Sequence, residues 1–358
     1  MKYSIIVPVY NRPDEVDELL QRLCDQKAKD FEVLIVEDGS QRDCKAIVEK
    51  YHDRLDVKYF MKENSGPGQS RNYGAERANG EWLIVLDSDV VLPEGYLEAV
   101  EKSLTSHLSP LTSEIVAFGG PDAAHPSFTP VQKAISYSMT SFFTTGGIRG
   151  SSPQSGGARG ALDKFYPRSF NMGIRRDVYL QLGGFTKMRF GEDIDFSYRI
   201  VEAGYRPRLF PEAWVWHKRR TDFRKFFRQV YNSGIARINL EKRHPGTMKL
   251  VHLLPTVFTV GVIALILISA VGRALMHYVD RDQFYWMCFA PWIPIILYSL
   301  LICVDSTIKN RSLRVGILSV PAALVQLMGY GLGFIESWWK RCVLKQDEFQ
   351  AFEKTFYK

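Results

Sequence analysis

The last third of the chain limits its fold most. Three long stretches there, 251–271, 284–304 and 313–335, run almost without charge. Each is close to the ~20 apolar residues that carry a helix across the hydrocarbon of a bilayer. Arg314 is the exception, and it sits near an end from which a long side chain reaches polar surroundings. Pro255, Pro291, Pro294 and Pro321 are tolerable in membrane helices, where neighbours satisfy the freed backbone groups. A helical bundle buried in water is the competing reading, but three such lengths in succession favour membrane segments.

The net charge of +7 is concentrated just before them. Residues 211–249 hold ten Lys and Arg against three acids, an excess equal to the whole net charge. A basic block beside apolar segments suits an anionic membrane surface. Nucleic acid is disfavoured, because no nucleic-acid motif accompanies the block. Within it, "TDFRKFFRQVYNSGIARINLEKR" predicts a helix capped by Asp222. Phe223, Phe227, Val230, Tyr231, Gly234 and Ile238 share one face, while Arg224, Lys225, Arg228 and Arg237 fall largely off it. That pattern fits a helix lying in the membrane interface, or an ordinary amphipathic core helix.

The N-terminal part reads differently. With 46% hydrophobic and 24% charged residues the chain is no disordered polymer. Cys24, Cys44, Cys288, Cys303 and Cys342 are scattered without a CxxC, which argues for reduced thiols rather than disulfides or zinc. Met1 leads into "KYSIIVPVY", an apolar run too short for a signal peptide, so a cytoplasmic N-terminal half is expected. Strand signals (3–9, 31–38, "DVKYFMKE", "EWLIVLDSD") alternate with helix signals (13–26, "DCKAIVEKYHD", "GQSRNYGAERANG"). Such alternation implies parallel strands with right-handed crossovers and a ligand crevice at the strands' carboxyl ends. Tyr10-Asn11, Glu37-Asp38 and Asp87-Ser88-Asp89 lie at those ends. The glycine-rich stretch 144–161 is expected to be a mobile linker or a loop over the substrate.

Acids supply the chemistry. Asp87 and Asp89 are either a turn cap or two carboxylates offered to one hard cation, magnesium or manganese. Such an ion neutralises a departing phosphate. Glu192, Asp193 and Asp195 in "FGEDIDFSYRI" precede a helix, where acids suit the dipole and where one is placed to take a proton. No GxxxxGK[ST] is present, and no GxGxxG follows the first strand. A nucleoside-diphospho compound whose diphosphate leaves remains.

"SIIVPVYNRPDEVDELLQRL", "VLIVEDGSQRD", "GPGQSRNYGAERANGEWLIVLDSDV" and "GGFTKMRFGEDIDFSYRI" resemble family 2 glycosyltransferases over residues 1–220. The resemblance implies an α/β domain of the GT-A fold, a mostly parallel sheet with helices on both faces. It implies a nucleotide site at Pro8, Val9, Tyr10, Asn11, Glu37, Asp38, Arg71 and Ser88. It implies a DxD metal motif at Asp87 and Asp89, with His217 of "VWHKRR" as a third ligand. Asp193 matches the general base of inverting members, with Glu192 the alternative. The QxxRW of processive polymerases is absent, and the corresponding region reads "RQVYNSGIAR", so a non-processive enzyme is expected.

The expected organisation is a GT-A domain over 1–217, a basic interfacial segment over 218–249, a membrane region over 250–336 and a basic, aromatic tail over 337–358. A multi-pass protein of a bacterial inner membrane follows, moving a sugar from a nucleotide sugar to a lipid-linked, glycolipid or glycan hydroxyl. A hydroxyl needs a base and an ionised phosphate does not, which ranks a polyprenyl-phosphate acceptor second. A non-catalytic sugar-nucleotide-binding subunit ranks third. Three spans with a cytoplasmic N-terminus would put the basic tail outside, against the positive-inside rule. One apolar segment that is re-entrant or interfacial resolves the conflict.

Overall fold

The computed structural model describes residues 1–106, 115–146, 165–188, 190–274, 286, 288–349 and 351. The glycine-rich stretch lies, from 147 on, outside these residues, as do parts of the start of the second apolar stretch and the last seven residues of the tail. In chain order the elements are β1 (Tyr3–Val9), α1 (Pro13–Cys24), β2 (Phe31–Asp38), α2 (Lys45–Glu49), β3 (Val57–Lys62), α3 (Pro67–Arg77), β4 (Trp82–Leu86), β5 (Val90–Val91), α4 (Tyr96–Ser106), β6 (Ala117–Gly119) and β7 (Asp122–Ala123). There follow α5 (Pro130–Thr140), α6 (Phe142–Thr145), β8 (Asn171–Arg175), α7 (Arg176–Gln181), α8 (Glu192–Glu202), β9 (Arg208–Leu209), β10 (Val215–His217) and α9 (Phe223–Arg243).

The chain divides into two compact units, the first made of Met1–Pro126 and Ser151–Lys218, the second of Ser127–Gly150 and Arg219–Lys358. In the first, a seven-stranded sheet runs β3-β2-β1-β4-β8-β6-β9. β1 and β2 are buried at every position, which is why they read as unbroken apolar runs rather than alternating ones. β3, β2, β1 and β4 are parallel, and β8 enters antiparallel between β4 and β6. Pro13 opens α1 at a position that needs no amide hydrogen, and Val16, Leu19, Leu20 and Leu23 form its buried stripe. The order 3-2-1-4 aligns the carboxyl ends of four parallel strands along one edge of the sheet. A second, three-stranded sheet, β5-β10-β7, sets β10 beside the chain that leaves β4.

The second unit is helical. Thr129 and Gln132 cap α5 with a reciprocal box, and Asp222 caps α9 by accepting from the Lys225 amide at 2.7 Å. Three apolar helices follow: Leu254–Ala274, Ile293–Asn310 and Leu313–Trp338. All are long and apolar enough to cross a membrane. The second follows a tight 3-10 turn at Ala290–Trp292 that holds Pro291, carries Pro294 in its own first turn, and runs past 304 to stop where Arg311 turns left-handed (φ 50).

The apolar face of α9 differs from the expectation of a lipid-facing surface, because the third apolar helix covers it. A Cβ on Gly234 would lie 2.1 Å from the Tyr330 carbonyl oxygen, and one on Gly333 would lie 2.0 Å from that of Tyr231. Glycine there lets the two backbones meet. Overpacking typically costs ~1–3 kcal/mol, and a clash with backbone places Gly333→Leu at the upper end. This variant is expected to lower the thermal unfolding midpoint of the solubilised protein by several degrees. An unchanged midpoint would contradict the packing.

Candidate functional site

β4 ends at Leu86, and the chain turns immediately, with the Val90 amide donating to the Asp87 carbonyl at 3.3 Å. Asp87 and Asp89 therefore sit in a turn after the strand. A tight turn, not extended i,i+2 geometry, brings the two side chains together. His217 joins them from β10, which pairs with β5, while the Lys218 amide donates to the Asp89 carbonyl at 3.1 Å. One ligand atom each from Asp87, Asp89 and His217 falls within 4.8 Å of the others.

This donor set of two carboxylates and an imidazole fits a divalent cation of the magnesium or manganese class. His217 Nε2 faces Asp89 Oδ1 at 3.3 Å, and its ring stacks on Phe170 with centroids 5.0 Å apart. Its buried Nδ1 makes no hydrogen bond but points at Asp122 Oδ2, 4.0 Å away. A carboxylate behind the far ring nitrogen is the arrangement that orients metal-bound histidines.

Arginines tie the two acidic clusters together. Buried Arg71, from α3, donates through Nη2 to Asp87 Oδ1 at 2.7 Å and through Nη1 to Glu192 Oε1 at 3.0 Å. Its guanidinium lies over the Phe185 ring, 5.1 Å from the centroid. Arg12 Nη1 donates to Asp89 Oδ2 at 2.8 Å. Arg168 Nε donates to Asp193 Oδ2 at 2.6 Å, and the Ile194 amide donates to Asp193 Oδ1 at 2.9 Å. Asp195 turns away to Thr186 and Arg199 and supports the fold.

Glu192 and Asp193 are neighbours at the start of α8, yet their acidities diverge. Burial pushes the Glu192 carboxyl up to about 7, against the pull of Arg71 and with the help of the Asp193 charge. Burial pushes Asp193 up as well, but Arg168 outweighs it and holds that carboxyl below its ordinary value. Asp193 thus favours the ionised form, while Glu192 holds its proton more tightly than an ordinary glutamate. Opposed environments on paired carboxylates are a recurring way of assigning proton-transfer roles.

A stability effect follows. Between 4.5, the ordinary value, and about 7, folded protein holds a proton on Glu192 that the unfolded chain has released. This group's contribution therefore falls as pH rises through that window. Thermal midpoints of metal-free protein are expected to show a shallower fall in Glu192→Gln. An identical slope in both proteins would contradict the raised acidity constant.

The residues assigned to the nucleotide separate into two groups. Pro8 and Val9 are buried at the end of β1, and Tyr10 is half-buried beside them. Asn11 adopts a left-handed conformation (φ 55), and its Oδ1 accepts from the Gln41 and Arg42 amides, both at 2.9 Å. Asp38 accepts from the Ser65 and Gly66 amides at 2.9 Å and from Lys62, which fixes the loop opening α3. Asn11 and Asp38 thus shape the loops after β1, β2 and β3. Glu37 instead points inward, to Cys44 and Ser40. Ser88 is buried in the acidic turn. The structure links Asp87, Asp89, His217, Arg71 and Glu192 directly. Arg12, Arg168, Asp122 and Phe170 were not singled out from sequence.

Comparison with known proteins completes the picture. The model for glycosyl transferase family 2 matches residues 4–122, and that for glycosyl transferase family group 2 matches residues 82–303, more than half of the chain. The poly(ribitol-phosphate) beta-N-acetylglucosaminyltransferase TarS of Staphylococcus aureus is 36% identical over 113 residues, 30% of this chain and 20% of that protein. The validoxylamine A glucosyltransferase of Streptomyces hygroscopicus subsp. jinggangensis is 26% identical over 234 residues, 59% of this chain and 54% of that protein. The chain thus spans between a fifth and about half of the length of these relatives. A mannosyltransferase from Pyrobaculum calidifontis, solved in complex with GDP-Man and Mn2+, superposes with a TM-score of 0.60 at 15% identity over 95% of this chain and 88% of that one. The match over more than half of the chain makes it a member of glycosyl transferase family group 2, and the superposition shows the shared GT-A fold.

Proposed function

We propose that this glycosyltransferase is membrane-anchored, inverting and dependent on a divalent metal, and that it moves a hexosyl group from a nucleotide sugar to a hydroxyl of a lipid-linked, glycolipid or glycan acceptor. The observation that carries the reading is the convergence of Asp87, Asp89 and His217, joined through Arg71 to the Glu192–Asp193 pair. A divalent cation held by the first three residues supplies charge neutralisation for the leaving diphosphate.

The chain's own groups do the rest. Arg71 and Arg12 place positive charge beside the carboxylates and are positioned to engage phosphate oxygens. Asp193, kept ionised by Arg168, accepts the proton of the acceptor hydroxyl as its oxygen attacks the anomeric carbon opposite the leaving group. Asn11 and Asp38 hold the loops that frame the nucleotide. Three apolar helices in the second unit support membrane anchoring.

One observation favours a second acceptor class. Arg168 reaches Asp193 and is itself partly exposed, so it is also suited to receive a polyprenyl phosphate. Assaying the purified enzyme with one donor against polyprenol phosphate and against glycolipid hydroxyl acceptors separates the two. Transfer to hydroxyl acceptors is expected. Transfer to polyprenol phosphate alone would reject the hydroxyl reading.

A further inference from the structure

We infer that the third apolar helix, Leu313–Trp338, lies along the membrane surface and that the first two cross as a hairpin, so that the chain before Leu250 and the tail after Trp338 share one side. This rests on the membrane anchoring proposed above.

The third helix is flanked from end to end by helices that are not apolar. Along its first half runs α5, with Val131 beside Leu313 and Ile317, Ala134 against Val315 and Ala322, and Ile135 and Met139 near Val325. Along its second half runs α9. Val230 meets Gly329, Tyr231 meets Gly333, Ser337 Oγ donates to the Ile235 carbonyl at 3.3 Å, and Arg341 Nε donates to Asn239 Oδ1 at 3.1 Å. A helix that spanned the bilayer in this company would draw α9 in with it. Arg224, Lys225 and Arg228, on the α9 turns that precede the Val230–Gly329 contact, would then enter the hydrocarbon, which charged side chains strongly resist.

The outward side of the third helix is apolar along its length. Leu313, Ile317, Pro321, Leu324, Met328 and Leu332 recur every three or four residues, exposed or half-buried, and Trp338 and Trp339 close the stripe. An apolar stripe ending in tryptophans, backed by cationic helices, suits an anionic membrane interface.

The other two helices are disposed otherwise. The first meets the third near its own start, where Thr259 Oγ1 approaches the Leu327 carbonyl at 3.3 Å. The second meets it near its own end, where the Ser306 and Ser319 hydroxyls are 2.6 Å apart. They also pair with each other, close to the third helix through Phe258 and Tyr298 and farther out through Trp292 Nε1 donating to Ser269 Oγ at 2.9 Å. Only 11% of each apolar window is buried there, against 44% for the third helix. A two-span hairpin rising from a surface-lying platform also puts Lys340, Arg341 and Lys345 on the side of the α9 cations, which removes the conflict with the positive-inside rule.

Protease protection of the full-length protein in membrane vesicles tests this, with epitope tags at the N-terminus, at the C-terminus and in the 275–285 connection. The two terminal tags are expected to behave alike and opposite to the connection tag. Terminal tags that differ from each other, or all three tags alike, would overturn the inference. An alkaline carbonate wash of the same vesicles distinguishes the failures. Release of the protein overturns anchoring and this inference together, whereas retention with unlike terminal tags overturns the inference alone.

Discussion

Asp89→Ala is expected to abolish metal-dependent donor binding and to lower transfer by about 10³-fold or more. Asp89 lies between His217 Nε2 and Arg12 Nη1, so its removal takes a carboxylate from the Asp87–Asp89–His217 cluster and a close partner from Arg12. Loss of ~4 kcal/mol of leaving-group stabilisation corresponds to that factor. Calorimetry with donor, with and without manganese, reads the binding directly. Asp89→Asn retains the size of the side chain and a partner for Arg12, and separates lost ligation from lost packing. Metal-dependent affinity unchanged in both variants would remove the metal assignment.

Asp193→Asn is expected to reduce transfer to a hydroxyl acceptor by ~10²–10⁴-fold while leaving donor affinity nearly unchanged. Asparagine preserves the shape and still accepts from the Ile194 amide, but it does not take the proton. Arg168 keeps Asp193 ionised, and Arg71 binds Glu192 to the metal side, so the two neighbours have different work. Glu192→Gln should therefore disturb donor binding more than proton transfer. A larger loss of turnover in Glu192→Gln at unchanged donor affinity would transfer the base role to Glu192. Near wild-type turnover in both would favour the phosphate acceptor, which needs no base.

The parallel half of the sheet was legible because burial on both faces leaves no polar alternation, and Pro13 and the 3.6-residue stripe of α1 announce a helix. Two- and three-residue strands such as β7, β9 and β10 are too short to leave a period, although β10 carries His217. The pairing of α9 was not legible from its stripe, since the same apolar face serves lipid or protein. Gly234, Gly329 and Gly333 carried the discriminating signal, as small residues at helical spacing on facing helices. The acidic positions were legible as chemistry and Arg71 through the family resemblance, but Arg12, Arg168 and the pairings themselves were not. Arg12 reaches Asp89 across 77 residues, and Arg71 reaches Glu192 across 121. No local spacing encodes such pairs.

The most direct test is release of nucleoside diphosphate from a panel of nucleotide sugars by the purified full-length enzyme in lipid, with manganese and with chelator. The account predicts release from at least one donor with manganese, suppressed by chelator and absent in Asp89→Ala. Release that persists in chelator and in Asp89→Ala, or no release from any donor, would contradict metal-dependent sugar transfer at this site.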